Sequence, residues 1–309
     1  MPRIVDFHTH TFPERIKLGP VDRRLEKVRK KARAWMRPFS NSLHHSQPLL
    51  RLLPEFIRRP FDEVASLAPL ANLLIESSPK DLHEAMTSAG VDRVLLIAHP
   101  PFLTNEQLME ICAEYPRFIP AVNIPPGTKR PGQVLKNLVQ HGAKVLKIHP
   151  SADGEGPESP RYRALLKTAA DLNLPVVLHT GCIHSHVLYK DPDLGNAERF
   201  APWFKTYRTL PFVLAHMNYH APRVALELAE ENPNVHVDTS WQPSEIIGEA
   251  VRRIGSKRVL FGTDWPLVGN NIEIGIKRIR DCMDGGTVTE KDAEYILGKN
   301  AECLLKLPN

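Results

Sequence analysis

Ile4-Val5-Asp6-Phe7-His8-Thr9-His10 reads as a buried strand that ends in two histidines separated by one residue. Side chains alternate faces along a strand, so His8 and His10 point one way and Thr9 the other. Imidazoles about 7 Å apart on one rigid edge can both lean onto a single divalent ion. A lone His-x-His occurs on many surface strands, so the weight of this one comes from the strands that follow.

Working outward, seven further β-branched runs occupy residues 92–98 (DRVLLIA), 118–123, 143–149, 175–179, 212–216, 235–239 and 258–263. Amphipathic helices are expected between them, over 105–114, 131–140, 160–172, 196–207, 222–231, 243–254 and 272–283. Several open with proline or a small polar cap. Strands apolar on both faces and separated by helices imply a parallel sheet covered by helices. Eight of them predict a (β/α)8 TIM barrel, and the glycine-rich loop that a doubly wound nucleotide-binding sheet needs after its first strand is missing.

The chain therefore reads as one barrel over 1–309, with a helical insertion at 13–79 after the first strand that breaks the rhythm. Two apolar patterns at helical spacing fill it, one on Val21, Leu25, Val28, Ala32 and Trp35 and one on Leu49, Leu52, Leu53, Phe56 and Ile57, with Pro54 as a kink. Its position makes it a cap over the barrel mouth. Between positions 14 and 60 lie 13 basic residues against four acidic ones, so the net charge of +5 belongs to this segment and the remainder is acidic. The plain reading is a solvated helix face whose apolar stripe packs on the barrel. Sharper readings are a homo-oligomer interface through the cap, steering of anionic small-molecule substrates, and, less favoured, an anionic membrane surface. Nucleic acid is disfavoured, since no binding motif accompanies the charge and only Trp35, Phe39 and Phe56 interleave with it.

A chain of 309 residues with 42% hydrophobic and 24% charged content has room for one large core. No run approaches the roughly 20 apolar residues that span a bilayer, and Met1-Pro2-Arg3 leads directly into a strand, so a cytoplasmic protein is expected. Cys112, Cys182, Cys282 and Cys303 form no Cys-x-x-Cys pair and read as reduced thiols.

Active barrels carry their chemistry at the carboxyl ends of strands. Here His8 and His10, His149, His179, His216 and Asp264 stand at such ends. His8, His10, His179, His216 and Asp264 supply four nitrogen donors and one carboxylate around one mouth, a set that zinc accepts while keeping a position open for water. A carboxylate beside the metal can take the proton of a metal-bound water, which makes Asp264 the expected shuttle.

His8-Thr9-His10, His179-Thr180-Gly181, His216 and Thr263-Asp264-Trp265-Pro266, in this order, resemble the amidohydrolase superfamily. The most similar branch is the amidohydrolase-2 group, which includes aminocarboxymuconate-semialdehyde decarboxylase. The resemblance spans the chain outside 13–79. It implies that His8, His10, His179 and Asp264 bind the metal and that His216 orients or activates the water; zinc stands first by donor type, and the metal count stays open, one ion before two. The fourth strand departs from the binuclear members, carrying Lys147 and His149 where a bridging residue would stand.

Lys147 is read as a bridge if carboxylated, as a substrate-carboxylate contact, or as a lysine paired with a barrel acid. His149 is nearer the mouth and expected at the substrate, with Cys182 and Trp265. His184 and His186 read as substrate-loop residues rather than a second metal pair. His44, His45 and His99 read as ordinary polar residues, and Asp238 as structural. The leading expectation is hydrolysis of an amide, lactone or ester by metal-activated water, with Asp264 and His216 as catalytic groups. The alternative is non-oxidative decarboxylation of an unsaturated or aromatic acid, set second because no arginine stands at a strand end. A catalytically silent barrel serving as a partner- or membrane-binding scaffold is the third reading.

Overall fold

Eight strands run parallel, each hydrogen-bonded to its neighbour in sequence: β1 (Val5–Thr9), β2 (Arg93–Ile97), β3 (Phe118–Asn123), β4 (Val145–Ile148), β5 (Val176–His179), β6 (Phe212–Ala215), β7 (Val235–Asp238) and β8 (Val259–Leu260). The structure is a computed structural model that describes residues 3–12, 31–32, 49–67, 72–73, 76–181, 183–267 and 271–307. Backbone bonds from Phe7 to Phe261 (2.8 Å), His10 to Trp265 (2.7 Å) and Asp264 to His8 (2.7 Å) join the end of the sheet to its start. The chain is the expected (β/α)8 barrel.

Alternate residues of each strand fill the two sides. Val5, Phe7, Leu95, Ile97, Ala121, Val145, Val177, Val213 and Leu260 pack inside the barrel, and Val94, Leu96, Leu146, Leu178 and Leu214 pack outward against the helices. Strict alternation from Phe7 would send His8 and His10 outward with the second group. The register against β2 instead shifts by one residue between Asp6 and Thr9. This bulge leaves Thr9 paired with outward-facing Leu96 and returns both histidines to the interior side.

Helices 105–114, 131–140 and 222–231 coincide with their expected spans. The first begins where Thr104 and Gln107 form a reciprocal cap. The expected helix 196–207 is divided, because Asn196 starts a short 3-10 turn, Ala197–Phe200, and Pro202 lies in the first turn of a new helix, Ala201–Thr206. Past the expected elements, Asn300–Leu305 plugs the floor of the barrel with Ala301 and Leu305. The turn before it passes so close to the first strand that a Cβ on Gly298 would sit 1.9 Å from the Arg3 carbonyl oxygen.

Of the insertion 13–79, the described part is chiefly the helix Glu55–Ala65 with its flanks. The expected stripe from Val21 to Trp35 lies outside the described residues apart from Ala32. The second stripe behaves contrary to expectation. Leu49, Leu52 and Phe56 are 67%, 79% and 77% exposed, while Arg51, Asp62 and Ser66 bond to the barrel loops. The barrel loops that these residues meet are polar, so the described helix docks its polar face there and turns its apolar face outward. No helix among the described residues is long and apolar enough to cross a membrane.

Candidate active site

The bulge of β1 and the left-handed backbone of Asp264 (φ 61°) bring His8, His10 and Asp264 together at the mouth. Asp264 Oδ1 lies 3.5 Å from His8 Nε2 and 3.3 Å from His10 Nε2. These three ligand atoms stand within 4.8 Å of one another. The far side of each group is already committed. His8 Nδ1 donates to Asp238 Oδ2 at 2.8 Å, His10 Nδ1 faces the Ile97 carbonyl oxygen at 3.3 Å, and the Trp241 indole N–H donates to Asp264 Oδ2 at 2.7 Å. Because a carbonyl and a carboxylate can only accept, both imidazoles carry their proton on Nδ1 and turn the Nε2 lone pair toward the site.

His179, at the end of β5, meets His216 edge-on with ring centroids 5.0 Å apart and lines the same cavity as Asp264. Its Nε2 is buried and has no hydrogen-bond partner among the described residues. An orphaned imidazole nitrogen in the cavity that Asp264 also lines, with the His8 and His10 Nε2 lone pairs turned to the same carboxylate, is what a divalent ion would satisfy, so the donor set fits a metal. His149 stacks on the His179 ring at 3.7 Å and accepts the Ala152 N–H at 3.2 Å, starting the short helix Pro150–Asp153. It thereby sets the plane of His179. His99 meets both His10 and His149 edge-on.

His216 follows β6 and stacks on His8 at 4.7 Å. Its Nδ1 bonds Ser240 Oγ at 2.7 Å, and the Ser240 hydroxyl donates in turn to Asp238. This order of donors leaves His216 Nε2 unprotonated and free for chemistry. Lys147 rises from β4 to place Nζ 3.5 Å from His8 Nε2.

Burial dominates the electrostatics. It pushes His216 and His99 down to about 3, holds His149 and His179 well below the usual imidazole range, and lowers His10. All are neutral near pH 7, the form that binds a metal. Burial also brings the Lys147 ammonium down to about 8, against the pull of Asp264 and Asp238. For Asp264, burial opposes ionisation, but its surroundings at His216, His8 and His10 outweigh it and hold the carboxyl well below the usual range.

Above these groups is a cavity of about 30 Å³ walled by His179, His216 and Asp264 on one side and Tyr189, Tyr219 and Trp241 on the other. Trp265, expected at the substrate, puts its ring in the core between sheet and helices, where it is 1% exposed. The indole at the site is Trp241, from the turn after β7. Sequence reasoning passed over that turn because Asp238-Thr239-Ser240-Trp241-Gln242 lacks a ligand-type spacing. Cys182, His44 and His45 lie outside the described residues. Among the described residues two clusters could hold an ion, His8 with His10 and Asp264 and His8 with His216 and Asp238, and His184 and His186 belong to neither.

Comparison with known proteins follows from this geometry. The family described as amidohydrolase matches residues 5–307. Gamma-resorcylate decarboxylase of Rhizobium radiobacter is 24% identical over 250 residues, covering 66% of this chain and 75% of that protein. An uncharacterized TIM-barrel protein of Bordetella bronchiseptica superposes with a TM-score of 0.65 at 20% identity over 98% of both chains. A dihydroxybenzoic acid decarboxylase of a Polaromonas species, solved with manganese and the inhibitor 2-nitroresorcinol, does so with a TM-score of 0.63 at 16% identity over 99% of this chain and 98% of that one. The similarity to decarboxylases overturns the expectation of a hydrolase acting on an amide, lactone or ester. That expectation leaned on the lack of a strand-end arginine, whereas buried Lys147 is a cation at the same place.

Proposed function

Because the chain belongs to the amidohydrolase family, we propose that its barrel catalyses the metal-dependent, non-oxidative decarboxylation of a small hydroxylated aromatic acid. The observation that carries this reading is Lys147, a cation 2% exposed with Nζ 3.5 Å from His8 Nε2, together with the aromatic residues Tyr189, Tyr219 and Trp241 in the wall of the cavity that Asp264 lines. Lys147 already feels Asp264 and Asp238, and a substrate carboxylate on an aromatic ring would add to that charge pairing and meet the aromatic walls. The reaction of the curated relatives supports the same choice.

His8, His10, His179 and Asp264 would hold one ion, with zinc first by donor type and manganese, found in the Polaromonas relative, as the competing metal. Bound there, the metal supplies Lewis acidity that withdraws charge from the oxygens of the acid. The remaining work falls to the chain. Breaking the aryl–carboxylate bond leaves an electron pair on the ring carbon, which must gain a proton as carbon dioxide departs. His216 Nε2, the free lone pair of the site, accepts the proton of a hydroxyl beside the carboxylate. Asp264 takes this proton from His216 and delivers it to the ring carbon, and the phenoxide recovers one from water as product leaves. Tyr189, Tyr219 and Trp241 hold the ring plane and exclude bulk water.

The test is incubation of metal-loaded protein with a panel of hydroxybenzoates, following carbon dioxide release and loss of substrate absorbance, beside a panel of lactones and esters. Decarboxylation of at least one ortho-hydroxylated acid is expected. Turnover of a lactone or ester with none of the acids would refute the reading.

Self-association through the insertion is part of this proposal. The outward apolar residues Leu49, Leu52, Phe56, Phe61, Val64 and Leu67 are each more than half exposed, a density of apolar surface that isolated soluble monomers rarely keep.

A further inference from the structure

Directly after β6 the backbone makes an unusual excursion. His216, Met217, Asn218 and Tyr219 have φ of 60°, 45°, 59° and 36°, and none of them is glycine. The left-handed region crowds Cβ against the backbone of L residues, so a run of four does not sustain itself. Yet this run carries both His216 and Tyr219 into the cavity wall. Something outside it must hold it.

Two sets of contacts do so. From the barrel, Gln242 Nε2 donates to the carbonyl oxygens of His216 (2.5 Å) and Tyr219 (3.2 Å), and Thr180 Oγ1 accepts the Asn218 N–H at 3.1 Å. From the insertion, Arg51 Nη2 donates to the Tyr219 carbonyl oxygen at 2.9 Å and to Gln242 Oε1 at 2.8 Å. Asp62 grips the next residue, with both carboxylate oxygens 3.1 Å from His220 Nε2. Arg51 therefore fixes both the strained turn and the glutamine that holds it.

We propose that Arg51 and Asp62 are positioning residues that lock the left-handed turn 216–219, making the insertion a working part of the active site and not only its cover. The effect on turnover rests on the decarboxylase reading, but the effect on the turn does not. Without the two contacts the turn samples ordinary right-handed and extended backbone, and His216 leaves its place over His8 for part of the time. The metal ligands stand on other strands and keep their ion.

The test compares metal-loaded wild type with Arg51→Ala, Asp62→Asn and the control Arg59→Ala, whose side chain bonds Glu55 and Asp193 instead of the turn. Amide hydrogen exchange over residues 216–221 should quicken about tenfold in the first two variants and stay at wild type in the third, with metal content unchanged in all. On an accepted acid, kcat should fall about tenfold or more with KM within about threefold, and methylguanidine should partly restore the exchange protection of Arg51→Ala. If Arg51→Ala fails to fold, Asp62→Asn, which keeps the side-chain shape, decides alone. Wild-type exchange at the turn overturns the proposal, as does a turnover loss without faster exchange, which would make Arg51 a substrate contact. Faster exchange in a protein that decarboxylates nothing leaves the lock standing and removes only the proposed reaction.

Discussion

The carboxylate of Asp238 accepts the Nδ1 proton of His8 at 2.8 Å across 230 positions of sequence. It also accepts the backbone N–H groups of His216 and Ser240 at 3.0 Å each. One buried acid thus sets the tautomer of a metal-facing histidine and the backbone of the free one. Burial alone would raise its pKa, but His8 and the surrounding donors bring it down to about 2. Asp238→Asn should lower metal affinity about 10–100-fold while the fold persists, as loss of a partner behind a ligand usually does. Metal titration with a competing chelator measures this, and unaltered affinity would show that the contact only packs the strands.

His216 and His8 should separate cleanly by metal content. In His216→Asn the metal should stay and turnover should fall by at least about 100-fold, the usual cost of losing a positioned acid–base group. In His8→Ala both the metal and turnover should be lost. Elemental analysis beside single-turnover rates distinguishes the two. Loss of metal from His216→Asn would make it a ligand, and a fully loaded, active His8→Ala would dismantle the donor set.

Assembly should depend on the outward face of the insertion. Phe56→Glu combined with Val64→Glu places two charges on side chains that are 77% and 69% exposed in the isolated chain. Neither residue touches the cavity, so the variant should remain folded and shift toward monomer in sedimentation velocity, the wild type sedimenting as a larger species. A wild type that is monomeric at micromolar concentration contradicts the assembly.

Acid should weaken the fold partly through His236 on β7. Burial, helped by Arg258, pushes this imidazole down to about 4. The unfolded chain then binds a proton near pH 6.5 that the folded chain resists until about pH 4, so stability is full above 6.5 and declines between 6.5 and 4. The loss should be about 3 kcal/mol, and His236→Gln should flatten that part of a urea-denaturation pH series. An equally steep series in the variant would assign the acid sensitivity elsewhere.

Local pattern made the barrel legible before any coordinates. The eight β-branched runs, the proline and threonine helix starts, and the strand-end residues His8, His10, His179, His216 and Asp264 all report through short-range spacing, because strand and helix periods are properties of neighbouring residues. Tertiary structure alone decided the rest. The bulge at Asp6 to Thr9 exists only against β2, and without it the two histidines would face the helices. Trp241 takes the place expected of Trp265 because the turn after β7 bends into the mouth while Trp265 is drawn into the closing seam of β8 and β1. Asp238 gained its role from a partner 230 positions away, and Arg51 met Tyr219 across 168. Spacing cannot carry such pairings, since they depend on where the closed barrel and the docked insertion put side chains from distant segments. The choice between hydrolysis and decarboxylation escaped the sequence for a related reason: the same strand-end residues serve either reading, and the burial of Lys147 beside His8 is a tertiary fact.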